Sequence, residues 1–295
     1  MSKEDSKNSV DPRERARQIA AKQAKLGARS NKRWMQATIA LVVVAIIAIV
    51  ATIFITTKKN TIEDAGPVPE SANKYGGIVL TADGIEKGAS DEPTRDIKSL
   101  YSATASHQAT EGAKETPLPL GVQTPEEAAH NGKPVRVTIF QDYNCVHCAE
   151  FEKAYGDEIE KLVKEGKITL EIRNLTFLDG EYAGQYSART AAAAYAVANQ
   201  VSPEKFLEYQ KEIFSHQGKV MKNAEIIDIA KKYGADIKDD MDNNKWRSLV
   251  NVVTPESSNN GVSGTPTVYA DGQQYTSNDF TTWINGIIEA KQKSE

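Results

Sequence analysis

The sequence predicts an α/β fold with an inserted helical subdomain, preceded by one transmembrane helix. Three observations carry that expectation. Residues 134 to 177 read as strand, helix and strand. A long block of helical spacing follows, over about residues 182–253. Ahead of both lies a run from Ala37 to Ile55 with no charged residue. Strand, helix, strand in that order implies parallel pairing across a crossover.

The N-terminal third divides by charge. Residues 1–36 carry ten Lys and Arg against four acids and read as a basic tail, helical from Pro12 to Leu26. In the run 37–55, twelve residues are Leu, Ile, Val or Phe. As a helix it rises about 28 Å, close to the hydrocarbon thickness of a bilayer. A core helix would show a polar stripe, and a cleaved leader would start close to the N-terminus. The run therefore reads as an uncleaved signal-anchor over residues 37–56, with Trp34 at the interface. The positive-inside rule keeps residues 1–36 in the cytoplasm and exports the rest. The exported part has ten more acids than bases, which argues against nucleic acid as a partner. It also places the chain's two cysteines where oxidation is possible.

Residues 57–75 are polar, contain two prolines and read as a linker. An extracytoplasmic extension covers 76–133, with one strand expected in "GGIVLTADG" and no clear pattern from 85 onward. The main domain spans 134–293. "PVRVTIFQDY" is β-branched and aromatic, hence a strand. Cys148, Phe151, Tyr155, Ile159 and Leu162 form one helical stripe ending at Gly166. "ITLEIRNLTF" alternates as a second strand. Four helices fill 182–253, one opened by Ser202 and Pro203 and the last expected from Met241 to Val253. Asp271-Gly272 between two extended runs signals a hairpin. A final helix closes the chain, capped by Ser277 or Asn278.

Cys145 and Cys148 sit in "QDYNCVHCAE", directly after a strand. Cys145 falls in the first helical turn, where free N–H groups and the helix dipole favour a thiolate. Cys148 falls on the apolar stripe. The spacing thus predicts an exposed, acidic attacker and a sheltered resolving thiol. His147 between them adds positive character if its imidazole faces the sulfur. Asp142 at the strand end is a candidate for proton transfer, with a plain solvated acid as the alternative. A zinc site is disfavoured, because His107, His130 and His216 share no metal-binding spacing. A static disulfide closing so short a loop would restrict the unfolded chain little.

At "FQDYNCVHC" the chain resembles the DsbA-like thiol-disulfide oxidoreductases of the thioredoxin superfamily, over about residues 134–292. "GVSGTPTVYADG" resembles the loop in which a cis-proline faces the cysteine pair. The resemblance implies a thioredoxin-like fold with Cys145 as nucleophile and Cys148 as resolver. It places His147 where a histidine lowers the thiol pKa, and implies a redox-active disulfide between the two cysteines. It implies a cis Pro266, with Thr265 pairing its backbone to the substrate strand. Two departures bear on direction. Val146 stands where strong oxidants have proline, and threonine before the cis-proline also occurs in reductase-type and isomerase-type relatives.

The expected function is a membrane-anchored enzyme that introduces disulfides into exported cysteine-containing proteins. No cofactor is expected. The resemblance implies reoxidation by a membrane partner of the vitamin K epoxide reductase type. A single-pass anchor suits the membrane of a thick-walled bacterium. The alternatives are a reductase or isomerase of the same fold, and a non-catalytic anchored binding domain.

Overall fold

The computed structural model describes residues 11–60, 62–88, 93–98, 118–129, 131–180 and 184–294. Side chains at 26–33, 35, 53–60 and 294 lie outside the described set. The chain forms two compact units, Met1–Thr61 and Ile62–Glu295.

The first unit is one helix, α1 (Pro12–Asn60), opened by Asp11, whose Oδ1 accepts from the Arg13 N–H at 2.9 Å. The tail helix and the apolar run are therefore one continuous element rather than two. Along it Leu41, Val44, Ile47 and Val50 are exposed. Among the described residues, no helix is long and apolar enough to cross a membrane. The end of the apolar run, from Ile53, falls on side chains outside that set.

The second unit is built on a six-stranded sheet. Its strands are β2 (Ile78–Thr81), β3 (Gly84–Ile85), β5 (Val135–Gln141), β6 (Ile168–Asn174), β7 (Thr267–Ala270) and β8 (Gln273–Gln274). Their order is β3-β2-β6-β5-β7-β8, with β5 and β6 parallel and every other pair antiparallel. Helix α3 (Val146–Lys164) makes the crossover from β5 to β6. Both central strands are buried along most of their length, as a strand covered on both faces must be. A short helix, α2 (Pro125–Ala129), leads into β5. The hairpin turn is Asp271-Gly272, both at positive φ, a conformation glycine adopts without steric cost.

The helical insertion has five helices where four were expected: α4 (Tyr186–Ala198), α5 (Pro203–Ser215), α6 (Asn223–Lys232), α7 (Lys238–Asp242) and α8 (Arg247–Asn259). The last runs on through Pro255 to Asn259, beyond Val253, where the expected helix ended. Glu256 is held there by Arg95 at 2.6 Å and Ser257 is buried, so tertiary packing overrides the proline. The closing helix α9 (Phe280–Ser294) begins after Asp279. That carboxylate accepts the N–H groups of Thr281 and Thr282, so the cap is Asp279 rather than Ser277 or Asn278. Phe151, Tyr155, Tyr275, Phe280 and Trp283 pack α9 onto α3 and the hairpin.

Two domain expectations need correction. Residues 57–75 are no linker: α1 continues to Asn60, and β1 (Ala65–Pro67) pairs with β4 (Thr94–Asp96). Ser71 is buried, its N–H donating to Asn199 Oδ1 and its hydroxyl to the Tyr195 carbonyl. Polar groups that looked solvated are spent on the insertion. Within 76–133, which was expected to be an extension, β2 and β3 belong to the main sheet beyond β6, and 99–117 lie outside the described residues.

The join is electrostatic. Glu171 on β6 is fully buried and receives Arg136 Nη2 and Arg173 Nε at 2.9 Å, and Asn73 Nδ2 at 2.8 Å. The Arg173 guanidinium lies over the rings of Tyr75 and Phe140. Burial alone would raise the Glu171 carboxyl, but Arg173 and Arg136 outweigh it and hold its pKa at about 2. Its folded value is below its unfolded one, so its contribution is present above about pH 4.5 and is lost as pH falls through about 2. Glu171→Gln leaves two arginines without their counter-charge. In urea unfolding it is expected to cost about 3–5 kcal/mol at neutral pH, with the deficit shrinking toward pH 2.

Candidate active site

Both cysteines sit where the sheet hands over to α3. Residues 142–144 turn the chain after β5, and the Cys145 N–H donates to the Asp142 carbonyl at 3.0 Å. Cys145 takes an extended conformation as the residue ahead of the first helical turn, and Cys148 lies inside that turn. The two are unbonded to each other in this structure. Cys145 Sγ lies 3.2 Å from the Thr265 carbonyl oxygen, which accepts from the thiol. The Thr265–Pro266 bond is cis. Residues 120 apart in sequence thus meet at one sulfur.

The thiols differ in acidity. Cys145 falls to about 5. The hydrogen bond from the Cys148 thiol is the largest cause; burial opposes it, and the Thr265 side chain and the N–H groups of Cys148 and His147 reinforce it. Cys148 moves strongly the other way, through its hydrogen bond to Cys145 and then burial. The expected asymmetry of exposure, however, is small. Cys145 is 5% exposed and Cys148 2%, because the loop carrying Thr265 comes down on the attacking sulfur.

His147 departs from expectation. Its imidazole is exposed and Nδ1 pairs with Glu150 Oε2 at 3.0 Å. What reaches Cys145 from this residue is its backbone N–H. Asp142 is fully buried rather than solvated. Its oxygens accept from the N–H groups of Asn144 at 2.8 Å and Leu178 at 3.0 Å, and burial raises its pKa. Among the described residues, no cluster of His, Cys, Asp and Glu is arranged to hold a metal ion.

Sequence reasoning missed the residues that bind the neighbouring loops. Asn144 Nδ2 donates to the Leu178 carbonyl at 3.3 Å, and Gln217 Nε2 donates to the Asn144 carbonyl at 3.0 Å. It also missed Glu152, although Glu152 is four residues from Cys148 and so lies on the same helical stripe.

A thioredoxin-like α/β domain with an acidic thiol at a helix start and a cis-proline opposite defines a dithiol-bearing class of protein. A family model described as Thioredoxin matches residues 129–290, more than half of the chain, and the chain belongs to that family. The serine/threonine-protein kinase PknE of Mycobacterium tuberculosis is 25% identical over 169 residues, covering 52% of this chain. The chain spans 30% of that relative's length. Solved structures similar to this chain include the following three. DsbA from Mycobacterium tuberculosis is 23% identical, with TM-score 0.47, covering 61% of this chain and 98% of that one. MdbA from Corynebacterium matruchotii is 23% identical, with TM-score 0.46, covering 52% and 81%. BdbD from Bacillus subtilis is 20% identical, with TM-score 0.47, covering 61% and 100%.

Alkylation of reduced Cys145 should have its half-maximal rate near pH 5, far below an ordinary thiol at about 8.5. Thr265→Val removes the hydroxyl and should move that midpoint upward; His147→Ala, which keeps the N–H, should leave it in place. Mass spectrometry of the alkylated peptide reads both.

Proposed function

We propose that this chain is a thiol-disulfide oxidoreductase that introduces disulfides into exported proteins from a position anchored in a bacterial cell membrane. The unequal pair of thiols beneath the Thr265 carbonyl carries the reading. Stabilising one thiolate stabilises the reduced domain, and a stabilised reduced form makes a stronger oxidant.

In the oxidised domain, a substrate thiolate attacks Cys145. The Cys145–Cys148 bond breaks, and Cys148 leaves with the electron pair and takes up a proton. Asp142, buried and with a raised pKa, is the nearby candidate donor; its backbone N–H also reaches Cys148. A second substrate thiolate attacks the mixed disulfide at the substrate sulfur, and Cys145 departs as its stabilised thiolate. The substrate loses two electrons and the domain gains them. The extended substrate pairs with the backbone at Thr265 beside Pro266. A membrane partner of the vitamin K epoxide reductase type then withdraws the two electrons and restores the disulfide.

Membrane anchoring is supported by the charge-free run of residues 37–55, its exposed apolar side chains on α1, and the basic flank before it. The same arrangement supports a cytoplasmic N-terminus and an extracytoplasmic dithiol. A reductase or isomerase is the second reading, and Thr265 and Val146 favour it, since both depart from the strong-oxidant pattern described above.

The reduction potential of the full-length chain decides between them. A value toward that of DsbA, about −120 mV, is expected; one near that of thioredoxin, about −270 mV, would reverse the direction of transfer. Cys148→Ala should accumulate mixed disulfides through Cys145 with exported proteins, visible as adducts lost on reduction. An absence of adducts would leave the pair without a substrate role.

A further inference from the structure

One turn beyond Cys148, on the same face of α3, lies a carboxyl group that dithiol exchange leaves unused. Glu152 faces α5, where Gln210 Nε2 donates to its Oε2 at 3.3 Å. Gln210 is a hub. Its Oε1 accepts from Gln141 Nε2 at 2.9 Å and from the Tyr143 hydroxyl at 3.4 Å. Gln141 Nε2 also donates to Asn174 Oδ1 at 3.0 Å. Gln141, Tyr143, Asn174 and Gln210 are all buried.

Donation in this chain has one direction. It runs from Gln141 and Tyr143 into the Gln210 oxygen, and from the Gln210 nitrogen into Glu152. Reversing the Gln210 amide would set its NH₂ against that of Gln141, so Glu152 is the acceptor at this end of the network, and it accepts more strongly as a carboxylate than as a neutral acid. Tyr143 also packs on Phe214 of α5 at 5.0 Å, and it lies two residues before Cys145. The segment that presents the attacking sulfur is therefore tied through Gln210 to the charge at residue 152.

We propose that Glu152 is a positioning residue for the dithiol: as a carboxylate it holds, through Gln210 and Tyr143, the segment whose N–H and hydroxyl neighbours stabilise the Cys145 thiolate. The inference rests on the dithiol reading above. The groups that bear on Glu152 are Lys211 from α5, Asp157 and Glu160 from α3, and the Tyr143 hydroxyl ahead of it. Burial is the largest influence and raises Glu152 to about 7. The switch from loose to fixed segment thus falls inside the working range, separate from the ionisation of Cys145.

A better stabilised thiolate is a weaker nucleophile. One unit of thiol acidity changes its rate about threefold at a Brønsted coefficient of about 0.5. Alkylation of the reduced full-length chain by iodoacetamide should therefore rise through about pH 5 and then fall by about threefold through about pH 7. Glu152→Gln should abolish the fall. Gln210→Met, which keeps the carboxylate but cuts the link, should abolish it too. His147→Ala should keep it. A fall that persists in either of the first two variants, that vanishes in the third, or that is absent from the unmodified chain overturns the proposal. Absence of the rise near pH 5 instead refutes the dithiol reading itself.

Discussion

The unequal acidity of two neighbouring sulfurs is the constraint on which the rest of this domain turns. Once Cys145 has ionised, the remaining proton stays with Cys148, whose thiol donates to the Cys145 thiolate. Holding that arrangement requires the first sulfur to face donors and the second to be shut away from water. Every nearby element contributes to one of those demands. The start of α3 supplies N–H groups and the loop after α8 supplies the Thr265 side chain, while the Thr265 carbonyl accepts from Cys145 when that thiol is neutral.

Those demands explain why so much polar chemistry is buried around the handover from β5 to α3. Asp142, Gln141, Asn174 and Gln210 are each nearly inaccessible, which is costly unless hydrogen bonds are met. Here they are met largely by one another and by the backbone of adjoining loops, with the Asn174 Nδ2 group alone of these side-chain nitrogens left without a partner among the described residues. The Asp142 carboxylate ties the 178 loop to the turn before Cys145, and Asn144 ties that turn to both the 178 and 217 loops. The geometry at the sulfur is thus set by polar anchors, while the aromatic cluster behind α3 fixes the helix as a whole.

Much of this was legible in the residues. The β5–α3–β6 order, the Asp271-Gly272 hairpin and the meeting of Cys145 with the Thr265–Pro266 loop followed from periodicity, turn chemistry and resemblance. What stayed hidden depended on contacts between distant segments. Residues 62–75 and 93–98 are polar because Ser71, Asn73 and Arg95 reach Glu171, Glu256, Tyr195 and Asn199, none of which is near in sequence. The run of α8 past Pro255 has the same origin. His147 was misjudged because spacing fixes where a backbone sits, whereas its imidazole is free to turn outward to Glu150.

The pairing of β2 along β6 has a practical meaning for where this domain starts. A fragment begun at residue 134 would retain the dithiol and its cis-proline loop. It would also bare the outer rim of the sheet and strip Asn73 from the ion cluster. Unpaired rims recruit other chains. The compact unit therefore starts at residue 62, and its strands β2 and β3 act as a selvedge that keeps the sheet from joining its neighbours.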